Sequence, residues 1–521
     1  MSTDELTRLD LLKRGGGLAS AALLIGPGTA AARTPFGNSA TRRTALTVAQ
    51  PSEPSNLDPT SRDLSEGRTV FCNIFDPLIH RTTDGEFVPV VLRSWRRVSP
   101  KRWRFVIRRD IRFSDGAPLT IEDVIFSLDR YRNPRIYNAS SKYSTWVNII
   151  RRNASEFDVT TRIPDNLVII NITDLVFVVS KAYFEAHDAT YLAANPMGSG
   201  PYVLDRWVRG DHLRLRAKSK YWGGPVPVRT LTYRPIPDES TRADAVIRGE
   251  VDIATQLAPQ QLSRLRGQRG VRLTSTQLST PVWIGIRLDD QPGAEKLKDV
   301  RVRQAMNYAV DKNAIIRRLL LGEGSPMGQP IPRNAFGHNP DVKSYPYNPD
   351  RARTLLRAAG ASGLKLGLDL PATGLLGINP PGLAVAQYLN QVGFDVTPRV
   401  FELNAFVQKI VTDNLSNLFI QIYRDASLDA GPIYAAQILS TASTNHSHYK
   451  NRTADVLIKN GILAKTREGR LSSYHKLARL THDEAPWIYL YSAKQSTAMR
   501  DYVKFTPRAD LLVPGREVTL A

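Results

Sequence analysis

At 521 residues the chain is too long for one small domain and fits two or three compact units. Hydrophobic residues make up 42% and charged residues 23%, a globular balance that excludes disorder across the body. The 70 Lys and Arg against 49 Asp and Glu leave a net charge of +21, and the single cysteine, Cys72, excludes an internal disulfide and a Cys-based metal cluster.

Residues 1–32 read as an export signal. Arg8, Lys13 and Arg14 precede an apolar run from Leu18 to Ile25, then Gly26-Pro27-Gly28 and the small-residue stretch Ala30-Ala31-Ala32 that a signal peptidase needs. The run is too short to span a bilayer. Thr7 to Lys13 resembles the twin-arginine export consensus with its second arginine missing, which leaves the export route open. No other apolar run approaches membrane-spanning length, so the mature chain is expected to be soluble.

Past a basic stretch from Arg33 to Thr44, Ala45 to Ala49 reads as a buried strand, and Arg68 to Ile79 as a helix stopped by Pro77. Trp103, Phe105 and Ile107 alternate with arginines as in a half-buried strand. Thr120 and Asp123 form a capping-box pattern, followed by Ile121, Val124, Ile125 and Leu128 on one helical face. A second helix starts near Asp299. Val302, Ala305, Met306, Ala309 and Val310 share its apolar stripe, with Arg301, Arg303, Asp311 and Lys312 expected on the wet side. Asp350 to Ala359 is a third, ended by Gly360.

Residues 363–423 alternate in type. Strands are expected at Leu364–Leu370, Asp395–Val400 and Leu418–Tyr423, with helices at Gly382–Val392 and Asn404–Thr412 between them. That order implies a parallel sheet with covering helices. Ligands of such sheets bind at the carboxyl ends of the strands, which points at Tyr423-Arg424-Asp425.

Catalytic signatures are missing. The sequence has neither a Gly-rich phosphate loop nor the G-x-S-x-G spacing, and Cys72 lies in an apolar, helical context that suits a buried hydrophobe. His446 and His448 are the only close histidines and lack further ligands, so no metal or cofactor is expected. From Arg93 to Arg112 nine Lys or Arg surround one acid, Asp110, with Trp95, Trp103, Phe105 and Phe113 among them. That pattern resembles a nucleic-acid surface, yet an exported protein has no nucleic acid to meet, and a solvated basic face over a core strand is the simpler reading.

Phe71 to Ile79, Asp84 to Pro89, Trp103 to Arg108 and Phe113 to Val124 resemble, in that order, segments of the family 5 extracytoplasmic solute-binding proteins of ABC transporters, the dipeptide-, oligopeptide- and nickel-binding relatives. Gly198-Ser199-Gly200-Pro201-Tyr202, Tyr221 to Gly224, Gly249 to Ile253, Val300 to Asp311 and Ala485 to Leu490 extend the match over residues 45–510. The resemblance implies an α/β fold of the periplasmic-binding-protein type. One lobe would come from 45–78, 199–278 and 495–521, a subdomain would be inserted at 79–198, and the second lobe would span 279–494. It further implies a monomeric binding component, not an enzyme, that closes on a peptide-like or other organic nitrogenous solute and serves permease subunits in the inner membrane. Arg33 stands where a lipid-bearing cysteine would follow the cut, so a free periplasmic protein is expected. Alternatives on the same scaffold are a metal-chelate receptor, hinted at by His446 and His448, and a sensor or chaperone without a permease.

Peptide-binding relatives place an aspartate just after a second-lobe strand, against the ligand's amino group, and Asp425 falls at that place. The family's G-D-x-x-D-P is altered here: Arg424 replaces the glycine, and Asp429 comes one residue late without its proline. Trp283 is expected to wall the cleft or fill the core. Arg424 is expected to pair a carboxylate, and Tyr423 and Asn445 to donate hydrogen bonds. Ser65 and Glu66 are weaker candidates in the loop before the first helix.

Overall fold

The computed structural model describes residues 43–60, 65–83, 85–137, 140–173, 176–290, 295–372, 378–424 and 427–521. The export signal expected at residues 1–32 lies outside them. No described helix is long and apolar enough to cross a membrane.

A single mixed sheet organises the chain. Its strands run in the order Asp395–Phe401, Lys365–Pro371, Leu418–Ile422, Val271–Ile286, Trp487–Arg500, Ile253–Leu257, Ala45–Gln50, Thr230–Pro235, His212–Ala217 and Tyr202–Val208, with Gly324–Pro326 also on the Trp487–Arg500 strand. Ala45–Gln50 is parallel to both of its neighbours, in register Ala45 to Thr230 and Val48 to Ile253. At the other end Lys365–Pro371 is parallel to both of its neighbours, joined through helices Asn379–Gln391 and Leu403–Val411. Alternation of strand and helix from residue 363 thus produces the expected parallel sheet.

Of the five apolar cores among the described residues, three hold the helices expected from the sequence. Helix Ser65–Ile74 buries Val70, Phe71 and Ile74 against Tyr202, Leu213, Leu215 and Tyr233. A separate antiparallel sheet, Leu92–Ser99, Arg102–Ile107, Glu156–Thr161 and Trp146–Arg151, takes helix Ile121–Arg132 on one face. Asp123 starts that helix as the capping box requires, accepting from Thr120 N at 2.8 Å and from its Oγ1 at 2.7 Å. Ile121, Val124, Leu128 and Tyr131 are buried, each contributing roughly 1.5–3 kcal/mol. The basic strand is half-buried as its alternation predicts, and its charge is partly neutralised: Arg104 bonds the buried Asp158 at 2.8 Å, as does Arg152 from just past the end of strand Trp146–Arg151.

The third core holds helix Val300–Ala309, with Val302, Ala305, Met306 and Ala309 inside. Two of its expected wet residues are not wet. Arg303 and Lys312 are each only 4% exposed. Arg303 donates to the Leu297, Lys298 and Glu484 carbonyls at 2.8–2.9 Å, so backbone acceptors replace the water that helical periodicity assigned to it. Helix Ser65–Ile74 also begins three residues earlier than expected, which puts Glu66 in its first turn, where a carboxylate suits the helix dipole.

Candidate functional site

Two long strands, Val271–Ile286 and Trp487–Arg500, join the two ends of the large sheet. They pair antiparallel from Val271–Arg500 to Gly285–Trp487, and their register breaks between Gln277 and Pro281. Pro281 has no N–H to give, so side chains take over the ladder there. Gln277 Nε2 donates to Ser492 Oγ at 2.8 Å and to the Ala493 carbonyl at 2.9 Å, and Ser492 Oγ donates to the Leu278 carbonyl at 3.0 Å. Such a crossing keeps the halves attached while leaving few backbone bonds to resist a bend.

Beside the crossing lies a cavity of about 490 Å³. Its floor is Tyr491 to Gln495. Glu66, Arg242 and Gln256, which are bonded to one another, line it, as do Glu323, Leu403 and Arg424. Glu66 is 7% exposed and accepts from Gln256 Nε2 at 2.7 Å. Gln256 holds φ at 52°, a left-handed conformation that costs a non-glycine residue about 1 kcal/mol or more. Arg242 locks that turn by donating to the Pro237 and Gln256 carbonyls at 2.9 and 2.8 Å, as well as to Ile236 and Thr255. Burial lowers its pKa, countered by Glu239 and Asp238. With its donors on backbone it shapes the wall and has little left for a ligand.

Arg424 is different. It follows strand Leu418–Ile422, is exposed, and makes no hydrogen bond or ion pair among the described residues. The cleft walls still desolvate its guanidinium enough to lower its pKa, and the Glu66 carboxylate opposes that shift. Lys494, on the floor, is likewise without a side-chain partner among the described residues. Glu323, also in the lining, is buried and accepts from Ser275 Oγ at 3.1 Å.

The remaining sequence candidates are scattered. Asp425 lies outside the described residues. Tyr423 is half-buried, and its N–H donates to the Pro281 carbonyl at 3.3 Å, beside the register break. Trp283 is 1% exposed and stacks on Trp487 with centroids 4.2 Å apart, within an aromatic core. Asn445 is buried and donates to the Tyr449 carbonyl at 2.9 Å, closing its own loop. His446 and His448 both bond Asp413, at 3.0 and 2.7 Å, and Arg287 joins them there. They sit at the Leu418 end of the strand that delivers Arg424 at its other end, roughly 13 Å or more away. The histidine pair therefore offers no support for a metal chelate in the cleft, and no metal-ligating cluster occurs among the described residues.

Gln256, Glu323 and Lys494 were not foreseen. A signal for the first existed: Ile253–Leu257 is a parallel neighbour of Ala45–Gln50, and both point their carboxyl ends at the cavity. The rule that selected Arg424 applies equally to that pair, once the pairing is known.

Residues 86–445 match the model of the bacterial extracellular solute-binding proteins, family 5, middle region. The chain belongs to this family. Among curated family members, it is 24% identical to the dipeptide-binding protein of Escherichia coli K12, over 80% of this chain and 83% of that one. It is also 24% identical to heme-binding protein A of Haemophilus influenzae, over 77% and 78% of the two chains. Among solved structures, HbpA2 from Haemophilus parasuis superposes with a TM-score of 0.82 at 18% identity, over 92% of this chain and 100% of that one. The family fold has two lobes around a ligand cleft.

Proposed function

We propose that the chain is the periplasmic substrate-binding component of an ABC importer. It captures a peptide-like or other organic nitrogenous solute between two lobes, passes it to permease subunits in the inner membrane, and catalyses nothing. The observation that carries this reading is the pair of opposite charges, Glu66 and Arg424, lining one cavity of small-solute size. A zwitterion presents an ammonium and a carboxylate, and only the closed arrangement meets both. Its differential affinity for that arrangement drives closure. The flat guanidinium of Arg424 takes a carboxylate through two parallel bonds. In this reading Asp425 is a further ligand contact and Tyr423 braces Arg424 at the register break, whereas Trp283 serves the aromatic core and Asn445 its own loop.

The lobes follow the division at 45–78, 199–278 and 495–521 against 279–494, with 79–198 inserted. Cleavage after residue 32 leaves Arg33, which cannot carry a thioether lipid, so the mature monomer moves freely in the periplasm. The similarity to a dipeptide-binding protein supports a peptide ligand, and the similarity to a heme-binding protein favours a metal-chelate ligand as the second reading.

Thermal-shift and calorimetric titration with di- and tripeptides, heme and a nickel chelate decide between them. A ligand at a hundredfold excess over Kd stabilises the native state by about 2.7 kcal/mol. A peptide is expected to bind, and Arg424→Ala to weaken it about tenfold or more, the loss of a charge-assisted pair. Peptide binding unchanged by Arg424→Ala sinks the assignment of the anchor. A response to heme or chelate alone moves the chain to the second reading.

A further inference from the structure

A second cavity, of about 520 Å³, opens where the Asp110–Gly116 turn, the Gly198–Ser199 turn and the end of strand His212–Ala217 meet. Register places it away from the cleft. Ala45 pairs with Thr230, and Thr230 with Arg216, so this cavity lies at the amino ends of the parallel strands. The cleft lies at their carboxyl ends, past Gln50 and Pro235. Six residues of strand separate the two by about 17 Å or more.

The lining gathers four cations, Arg112, Arg216, Lys218 and Lys220, around one carboxylate, Asp110. Their donors are mostly unspent. Arg112 gives one bond, to the Gly116 carbonyl at 3.0 Å, and Lys218 Nζ gives one, to the Gly198 carbonyl at 3.1 Å. The side chains of Arg216 and Lys220 have no partner among the described residues. Ser199 is fully buried at the cavity, and its hydroxyl is unpartnered. Nearby carboxylates are engaged elsewhere: Asp76 accepts from Tyr221 OH at 2.7 Å and Trp222 Nε1 at 2.8 Å, and Asp115 caps the Ala117 N–H at 2.9 Å. Phe113 and Trp222 add apolar wall.

We propose that this cavity is a second ligand site that takes a small oxyanion, a sulfate-, phosphate- or carboxylate-bearing solute, held by Lys218, Arg216 and Lys220. Gathering like charges around a half-buried lysine costs free energy that a bound anion recovers. The anion also ties the inserted subdomain's 110–116 turn to the strand edge of the first lobe. Burial pushes Lys218 down to about 8, against the pull of Asp76 and Asp115. Asp110, Arg112, Arg216 and Lys220 complete the charges facing it, and the arginines stay charged throughout. Lys218 carries its charge below that value and loses it above, so the site weakens as pH rises through it.

Calorimetric titration of the full chain at low salt with inorganic sulfate, and separately with succinate, tests this, because neither probe changes charge between about pH 7 and about pH 9.5. Saturable binding of one probe per chain is expected. It should fall about tenfold in Lys218→Met and in Arg216→Gln, fall several-fold at the higher pH, and stay unchanged in Arg424→Ala. Arg216 is exposed, so its variant decides the matter if Lys218→Met does not fold. Sulfate preferred over succinate identifies a tetrahedral oxyanion, and the reverse a carboxylate. No saturable binding of either probe, or binding that survives both variants or is lost in Arg424→Ala, overturns the proposal.

Discussion

Arginine and lysine occupy three kinds of place in this chain, and exposure alone does not separate them. Arg242 and Arg303 spend their donors on carbonyls and are structural. Arg424 spends none of its donors among the described residues, which suits the proposed ligand contact. Lys312 belongs to neither group: it is buried, gives one bond to the Asn307 carbonyl at 2.8 Å, and faces the Tyr345 ring at 6.0 Å. Burial lowers its pKa from 10.5 to about 7, with Asp311 only partly opposing. The unfolded chain holds that proton up to about pH 10.5 and the folded chain releases it near 7. Between the two the unfolded state binds more protons, so this group makes stability rise with pH, by a few kcal/mol at about 1.4 kcal/mol per pH unit. Denaturant midpoints for Lys312→Met and the parent chain should therefore differ most near pH 6, with the variant more stable, and converge as pH approaches 10. A pH-independent difference would place the cost in packing instead.

At the scale of elements, the turn at Gly198–Gly200 shows what a motif encodes. Gly200 N donates to the Ile74 carbonyl at 2.9 Å, docking the turn on the carboxyl end of helix Ser65–Ile74. A Cβ on Gly198 would sit 2.1 Å from the Ile74 carbonyl oxygen, backbone that cannot step aside. Gly198→Ala is expected to cost about 1–3 kcal/mol or more, read as a lower melting temperature. An unchanged midpoint would mean the turn floats on the helix. Elements of this kind were legible because their cause is local: Thr120 and Asp123 cap, Val302 to Ala309 make a stripe, and residues 363–423 alternate between strand and helix. Arg303 and Lys312 were misread because the acceptors that bury them are carbonyls at the carboxyl ends of helices, which periodicity does not record. The cleft was half legible for a related reason. Arg424 follows a strand whose end can be read locally, whereas Glu66, Gln256 and Lys494 meet it only through sheet pairing across hundreds of residues.

Across the whole molecule, one sheet runs through both proposed lobes, and only the crossing of Val271–Ile286 with Trp487–Arg500 joins its halves. Relative motion is therefore set by contacts away from the crossing. Asn166 Nδ2 donates to the Ala464 carbonyl, linking the proposed inserted subdomain to the second lobe, and Leu167 packs beside Gly431 in the same region. If the proposed lobes open about the crossing, these groups part, and their bond counts toward the closed arrangement alone. Neither residue lines the cleft. Asn166→Ala should then weaken peptide binding about twofold to tenfold, the worth of one hydrogen bond of 0.5–1.5 kcal/mol. The radius of gyration from solution scattering should still contract when ligand is saturating, because the walls continue to meet the same solute. Affinity equal to the parent's would mean that Asn166 and Ala464 stay joined in both arrangements, and that the lobes do not part along this line.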